Sequence, residues 1–262
     1  TPIFTRFKAE LGTDGYPLAV ESKVAFVGTV PMYQMTRGYD DMPYFTSGVI
    51  PNVLFSSAQL PVHVLNGAFR APCYNSHVFF VETFIDECAV AAGIDPLEYR
   101  LKLLSNWDKP WSDCLRVAAE KIGWGRPLPK GEGIGIAITN WPLAMMHNAG
   151  TTICAAAHVR VSPQGELEVL QVHISFDCGS VANPDAVRAQ LEGGTVFGMN
   201  MTLNEQMTLK DGAMVEKNFD TFPVLKIDEM PVIESVIVPT FDFWGGVGEP
   251  TPVQFEGQSE LG

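Results

Sequence analysis

The chemistry that this sequence could perform centres on one carboxylate, Glu249, in the stretch FWGGVGEPTP at residues 243–252. Three glycines and two prolines surround it, and both residue types disfavour the interior of a helix or a strand. The stretch is therefore predicted to be a loop whose backbone approaches another group closely. A carboxylate on such a loop could be a catalytic base, a metal ligand or a solvated turn residue, and the stretch alone leaves all three roles open.

A second loop carries residue types suited to an anionic ligand. In NGAFRAPCYNSH, residues 66–77, a short turn presents Phe69 and Arg70 just before a predicted helix. Backbone amides and an arginine at a helix N-terminus favour phosphate or an oxo group. The alternative is that Arg70 pairs with a surface acid while Phe69 packs in the core.

A third segment, RAQLEGGTVFGMN at 188–200, places Gln190 on a helix that is otherwise largely apolar. Glycines follow at positions 193, 194 and 198. Because glycine has no side chain, either a ligand or a neighbouring helix could approach this backbone closely.

The histidines and cysteines do not predict a metal site built from protein ligands. The five histidines form no HxH or HxxxH pair, and the five cysteines lack CxxC spacing. Cys88 lies in an apolar helical pattern and is predicted to be an inert core thiol, whereas Cys73 and Cys178 occupy turn-like contexts. GEGIG at 131–135 lacks the third glycine of a dinucleotide loop, and no GxSxG motif supports a hydrolase.

Composition limits the classes of partner. The 262 residues carry a net charge of −13, from 30 acids and 17 bases. An acidic protein binds nucleic acid poorly and is not attracted to anionic membranes. No apolar run approaches the ~20 residues that span a bilayer, so a soluble protein is expected. The first residues, TPIFTRFKAE, do not show the basic and then apolar pattern of a signal peptide. The sequence does not decide whether the compartment is the periplasm or the cytoplasm.

The elements that must position these loops form a mixture of strands and helices. Alternating residues predict a hairpin over 5–29, and NVLFSS and LPVHVLNG predict two more short strands. Helical spacing predicts three helices: one over 76–92 that ends at Gly93, one that begins after an Asp95 cap, and one from a Ser112 cap to Gly123.

The second half of the chain has a different character. A proline- and glycine-rich link at 125–138 leads into a strand, followed by a hairpin around the turn SPQGE. A helix over 183–206 with an Asn183 cap, a short hairpin at 207–216 and a strand within 221–238 complete the pattern. Without a regular βαβ repeat, the order of elements predicts an α+β fold.

Four motifs in this chain together resemble the molybdenum-binding large subunit of the xanthine oxidase family. The resemblance is greatest to the isoquinoline 1-oxidoreductase branch, which includes bacterial aldehyde dehydrogenases. The motifs are GAFRAPCYNSHVFFVETFIDECAVAAGIDPLEYRLKLL, DCGSVANPDAVRAQLEGGTVFG, NFDTFPVLKIDEMP and GGVGEP. They follow the order of the family, and the resemblance runs from about residue 5 to residue 252. One such motif would be weak, but four in order are specific.

The resemblance implies an α+β fold in which residues 1–128 belong to the first molybdenum-cofactor-binding domain and 129–262 to the second. It also implies a molybdopterin-type cofactor, with the cytosine dinucleotide form as one option, whose molybdenum is held by the pterin dithiolene. Glu249 matches the glutamate that acts as general base towards the Mo–OH group. The glycines beside it would let the loop reach the molybdenum, and a loop closed to water would make the carboxylate a stronger base. The matching cofactor-binding positions are Gly67, Phe69, Arg70, Ala71, Gln190 and Gly248.

The implied reaction is the oxidation of an aldehyde or an N-heteroaromatic substrate with oxygen from water. Electrons would pass to an iron–sulfur subunit, with any flavin or haem on a flavin or cytochrome subunit. The GGGFG and GQG loops of relatives are absent from this sequence, so an N-terminal polypeptide is expected to supply the remainder of the molybdenum subunit.

The alternative function is a non-catalytic scaffold or assembly chain, although the joint presence of Arg70, Gln190 and Glu249 favours the enzyme. The apolar stretch 138–150, with Trp141, Met145 and Met146, could line a substrate site or belong to the core.

Overall fold

The structure is a computed structural model that describes residues 3–27, 43–45, 49–61, 69–71, 74–106, 109–141, 150–238, 240–241 and 243–250. Within these ranges the chain forms two main sheets, one short hairpin and four α-helices. The predicted α+β class is confirmed. No helix in the described ranges has both the length and the apolar character needed to cross a bilayer.

The first sheet has three strands, in the order β1 (Ile3–Leu11), β2 (Pro17–Val27) and β3 (Asn52–Leu60). The first two form the predicted antiparallel hairpin, and β3 lies parallel to β2. The first of the two strands predicted after residue 51 was expected to end at Ser57. This end is wrong, because β3 continues to Leu60. Residues 62–68 lie outside the described ranges.

Three helices follow: α1 (Tyr74–Ala92), α2 (Pro96–Leu103) and α3 (Lys109–Ile122). Helix α1 packs against β1 of this sheet, whereas α3 packs against the second sheet. Gly93, with a φ of 68°, ends α1 as predicted. Asp95 caps α2, since its Oδ1 accepts the N–H groups of Leu97 at 2.9 Å and Glu98 at 3.1 Å.

The predicted start of α3 is wrong. Ser112 lies inside the first turn of the helix instead of at its cap. Pro110 explains the earlier start, because proline has no N–H that would need a partner in the first turn and its φ is already helical. The predicted end is correct, since Gly123 follows the helix with a φ of 74°.

The second sheet positions the candidate site. Strands β4 (Glu132–Trp141), β5 (Thr151–Val161) and β6 (Leu167–Asp177) lie side by side, each antiparallel to its neighbour. Helix α4 (Pro184–Leu203) and the short hairpin β7 (Leu209–Lys210) and β8 (Ala213–Met214) follow. Strand β9 (Val232–Ile237) then returns parallel to β6.

Both faces of the second sheet are covered. Cys154 and Ala156 of β5 belong to the core of the three helices, whereas Ile153 and Ala155 pack in a second core with α4. Successive side chains of a strand point to opposite faces. A central strand that is covered on both sides therefore reads as a continuous apolar run, as TTICAAAHV does.

A buried ion-pair network joins the helices to the second sheet. Arg100 is fully buried and donates to Glu82 at 3.0 Å and to Asp86 at 2.5 Å. The Glu82 carboxylate also accepts the backbone N–H of Ile138, in β4, at 3.0 Å. The division of the chain into two domains at residue 128 stays a prediction, and these buried contacts cross it.

Candidate active site

Three segments that are distant in sequence meet at one end of the molecule. They are residues 69–71 just before α1, the exposed face of α4, and the loop 243–250 after β9, called here the acid loop. The predicted site residues that the structure describes are brought together there: Phe69, Arg70, Ala71, Gln190, Gly248 and Glu249. Gly67 lies outside the described residues. The roles assigned to all seven stay predictions.

Residues 70–71 and 248–249 hold each other through a reciprocal pair of contacts. Arg70 donates to the carbonyl oxygen of Gly248 from Nε at 2.8 Å and from Nη2 at 2.5 Å. In return, Glu249 Oε2 accepts the backbone N–H of Ala71 at 2.5 Å. Each loop thus gives one side chain to the backbone of the other, which fixes the Glu249 carboxylate at a defined place.

Ala71 adopts an unusual backbone conformation at this contact. Its φ is 61° and its side chain is fully buried. A left-handed conformation costs a residue with a Cβ roughly 1–2 kcal/mol. Strained backbone of this kind is found preferentially at functional sites, and here it turns the Ala71 N–H towards Glu249.

Helix α4 contributes two side chains from one face. Gln190 Oε1 accepts from Arg70 Nη2 at 3.2 Å, and the ring of Phe197 lies 5.3 Å from the Arg70 guanidinium carbon. Two helical turns separate Gln190 and Phe197, so they share a face. Phe197 also contacts Phe69, with 5.4 Å between ring centroids. Phe69 is 44% exposed, so the alternative that it packs in the core is wrong.

The face of α4 between these side chains is open. Gly193 lies between Gln190 and Phe197, and a Cβ added to it would meet no described atom within 4 Å. By contrast, Gly194 and Gly198 are buried against the rest of the chain. Of the two interpretations of these glycines, close packing applies to Gly194 and Gly198, whereas Gly193 leaves room for a group that the described residues do not provide.

The acid loop is fastened to the ends of β5 and β6. Gly245 N–H donates to Cys178 O at 2.8 Å, Ser180 N–H donates to Phe243 O at 2.7 Å, and Thr151 Oγ1 donates to Gly246 O at 2.7 Å. A Cβ on Gly245 would clash with the Thr151 hydroxyl, whereas at Gly246 and Gly248 it would meet no described atom within 4 Å. Gly245 therefore permits close packing of the loop on the sheet, and the role of the loop glycines in reaching a molybdenum centre stays a prediction.

The Asp177 carboxylate stabilises, through hydrogen bonds, the backbone to which the acid loop is attached. Asp177 is fully buried at the end of β6, and its Oδ1 accepts the Gly179 N–H at 2.8 Å and the Thr240 hydroxyl at 3.2 Å. Burial raises the pKa of the Asp177 carboxyl. Sequence reasoning missed Asp177, Thr151 and Phe197, and the only signal for any of them was the helical spacing of Phe197 from Gln190.

Glu249 itself is exposed. Within the part of the chain that the structure describes, the expectation that the acid loop is closed to water is therefore not met. The exposed carboxylate, the Arg70 guanidinium and the Gln190 amide instead form an open surface that could become part of a larger enclosure.

The donor set indicates the kind of group that this surface would take. Among the described residues no cluster of three or more His, Cys, Asp or Glu side chains could hold a metal ion. A guanidinium, an amide and peptide N–H groups instead suit oxo and other anionic oxygens. These residues fit a metal that is coordinated by an organic ligand and not by protein side chains.

The four thiols in the described part of the chain are buried away from this surface. Cys88, Cys114, Cys154 and Cys178 are free and buried, and burial raises the pKa of Cys88 to about 12. The prediction of a core thiol at Cys88 is confirmed, and burial raises the pKa of Cys178 as well, against reactivity there. Cys73, Met145, Met146 and the side chain of Trp141 lie outside the described residues.

Comparison with known proteins shows which proteins this chain is similar to in sequence and in fold. Residues 118–231 match the molybdopterin cofactor-binding domain. The structure is similar to quinoline 2-oxidoreductase from Pseudomonas putida 86, with a TM-score of 0.80 at 12% identity over 98% of this chain and 58% of that chain. At that identity the similarity shows a shared fold.

Curated relatives define the family. This chain is 33% identical over 172 residues to one component of the nicotinate dehydrogenase of Pseudomonas putida KT2440, over 62% of this chain. It is 30% identical over 172 residues to the beta chain of the isoquinoline 1-oxidoreductase of Brevundimonas diminuta, over 65% of this chain. It is 32% identical over 184 residues to a membrane-bound aldehyde dehydrogenase (pyrroloquinoline-quinone) of Gluconacetobacter polyoxogenes, over 65% of this chain.

Together these similarities indicate part of a molybdopterin-binding subunit of the xanthine oxidase family, with the domain match confined to residues 118–231. The chain covers 14%, 21% and 24% of the length of these three relatives.

Proposed function

We propose that this chain supplies the catalytic base and part of the cofactor surface of a molybdenum hydroxylase that oxidises an aldehyde or an N-heteroaromatic compound. The reciprocal contact that fixes Glu249 beside Arg70 and Gln190 carries the proposal. The names of the relatives support the substrate classes, since they are a nicotinate dehydrogenase, an isoquinoline oxidoreductase and an aldehyde dehydrogenase.

Each residue of the proposed site would have a separate role in catalysis or in cofactor binding. Gln190, on the exposed face of α4, would bind an oxygen atom of a molybdopterin cofactor, and the open backbone at Gly193 and Gly248 leaves room for it. That cofactor, when bound, supplies the oxygen-transfer and redox chemistry. Glu249, anchored through one oxygen by the Ala71 N–H, would accept a proton on the other oxygen as a general base.

The variant Glu249→Gln tests the role of the base. The amide oxygen of glutamine still accepts the Ala71 N–H, but glutamine cannot take up a proton, so kcat should fall roughly 10²- to 10⁴-fold while the molybdenum content stays at the wild-type level. Steady-state kinetics with aldehydes and N-heteroaromatic acids, with molybdenum quantified on the same preparation, measures both. Glu166→Gln, an exposed change in the β5–β6 turn, is the matched control.

Two results would contradict this role. If Glu249→Gln keeps kcat within a few-fold of the wild type at full molybdenum content, Glu249 is not the base. If the natively purified protein contains no molybdenum, the scaffold or assembly function replaces the enzyme.

The electron partners form the second part of the proposal. We propose that electrons leave through an iron–sulfur subunit, with any flavin or haem on a further chain, and that another polypeptide or segment completes the enclosure of the cofactor. Two relatives are named as single components of larger enzymes, and this chain covers only part of their length, which supports the proposal. Native mass spectrometry with molybdenum and iron analysis should find near-stoichiometric amounts of both metals in a larger assembly, and a lone 28.6 kDa species without metal would contradict it.

A further inference from the structure

We infer that Arg70 and Phe197 are positioning residues for the acid loop: the guanidinium, supported by the aromatic ring, holds the Gly248 carbonyl and so sets where the Glu249 carboxylate stands. The inference rests on the proposed function for the chemistry of Glu249. It differs from the cofactor-binding role that the resemblance assigns to Arg70, and it gives a role to Phe197, which no motif predicted.

The hydrogen bonds of Arg70 show where its side chain is directed. Nε and Nη2 both donate to one oxygen, that of Gly248. The guanidinium is a rigid planar fork, so two bonds from it to one carbonyl fix the peptide that immediately precedes Glu249. The bond from Ala71 N–H to Glu249 then fixes the carboxylate itself.

Phe197 connects this fork to a rigid part of the molecule. Its ring lies 5.3 Å from the guanidinium carbon, within the range of a cation–π contact. Phe197 belongs to α4, whose opposite face is buried in the second core through Leu191 and Met199. Residues 69–71 and 243–250 lie outside the helices and strands of the main sheets, so the packed helix is the fixed reference for both segments.

A continuous set of contacts therefore runs from the core to the proposed base. It passes from α4 through Phe197 to Arg70, and from Arg70 through Gly248 to Glu249. Phe69, 5.4 Å from Phe197, packs beside this path. Removing the ring would leave Arg70 with its hydrogen bonds but without the surface that keeps the guanidinium in place.

The test compares Phe197→Leu with Phe197→Tyr, which keeps the ring. Phe219→Leu is the matched control, because Phe219 is 79% exposed and distant in sequence from all three site segments. Hydrogen–deuterium exchange of a peptide covering 243–250, in the natively purified protein, reports on the acid loop without any need for turnover. Exchange should be about two- to five-fold faster in Phe197→Leu, as expected for the loss of one exposed cation–π contact, and unchanged in the other two variants.

The second readout is kcat per bound molybdenum. Phe197→Leu should lower it roughly ten- to hundred-fold, as for a misplaced catalytic group, with KM and molybdenum content unchanged. Phe197→Tyr should restore nearly the wild-type value.

Each contrary outcome overturns the inference separately from the proposed function. Equal exchange in Phe197→Leu and the control means that Phe197 does not hold the loop. A proportional fall in molybdenum content, with kcat per molybdenum unchanged, means that the pair binds the cofactor and does not position Glu249. If the wild type carries no molybdenum, the proposed function fails, and the exchange experiment alone still decides whether Phe197 and Arg70 hold the loop.

Discussion

His77 is a fully buried histidine in α1, in the helical core. Burial lowers its pKa from the usual value to about 4, because the low-dielectric interior disfavours the charged imidazolium. The unfolded chain takes up a proton near pH 6.5, whereas the folded chain resists protonation until about pH 4. Its contribution to stability is therefore present above pH 6.5 and is lost as the pH falls towards 4.

The resulting prediction concerns acid stability. Between pH 7 and pH 4 the free energy of unfolding of the wild type should fall by up to about 3 kcal/mol more than that of His77→Leu. Urea titrations at several pH values measure it. Because the pKa of His173 is also lowered by burial, the informative quantity is the difference between the two slopes. Equal slopes would show that His77 titrates normally in the folded protein.

At the scale of residues, the sequence predicted those members of the site that belong to recognisable motifs. Glu249, Arg70 and Gln190 each lie in a distinctive pattern of glycine and proline, and the structure places them together. Phe197 and Asp177 could not be found in this way. An aromatic residue on a helix or an acid at the end of a strand is common, and only tertiary packing shows what each one contacts.

At the scale of elements, α4 carries a glycine with no structural reason inside the described chain. Glycine in a helix interior costs about 0.5–1 kcal/mol relative to alanine, and the position of the missing Cβ of Gly193 is open. Gly193→Ala should therefore raise the free energy of unfolding by about that amount. If the proposed cofactor lies against this face, the same variant should lose molybdenum, so that stability and metal content change in opposite directions.

Gly212→Ala provides the matched comparison for this prediction. It also has no described atom within 4 Å of its missing Cβ, but its φ is 79°. Alanine there should destabilise the protein by roughly 1 kcal/mol, so backbone conformation alone would reverse the sign. Thermal unfolding of both variants measures the pair. A Gly193→Ala protein that is less stable than the wild type would indicate that the helix face is already occupied.

The sequence located most elements because their periodicity and their end signals agree. The Asp95 and Asn183 caps and the glycines that end α1 and α3 were all identified from residue type. The predicted start of α3 was wrong because Ser112 is a favourable cap residue, whereas Pro110 allows the helix to begin earlier. The pairing of β9 parallel to β6 had no local signal, since it joins strands separated by α4.

At the scale of the whole molecule, the buried Arg100–Glu82 pair links α1 and α2 to β4. Arg100→Leu would leave the Glu82 carboxylate buried without its cation, which typically costs about 3–5 kcal/mol. Combining Arg100→Leu with Glu82→Gln should recover a substantial part of this loss, because glutamine is uncharged and its oxygen still accepts the Ile138 N–H.

Urea denaturation of the two variants and the wild type measures this recovery. A double variant as unstable as Arg100→Leu alone would show that the loss comes from packing around the arginine stem and not from the uncompensated charge.

The contact between Ala71 and Glu249 joins residues 178 positions apart in the chain. Closing so long a loop lowers the chain entropy, so a contact of such high sequence separation is costly to form. Segments held by a few exposed hydrogen bonds are also the first to open in the folded protein. We therefore expect this contact to open while both sheets stay intact, which would give a bulky group access to the exposed face of α4.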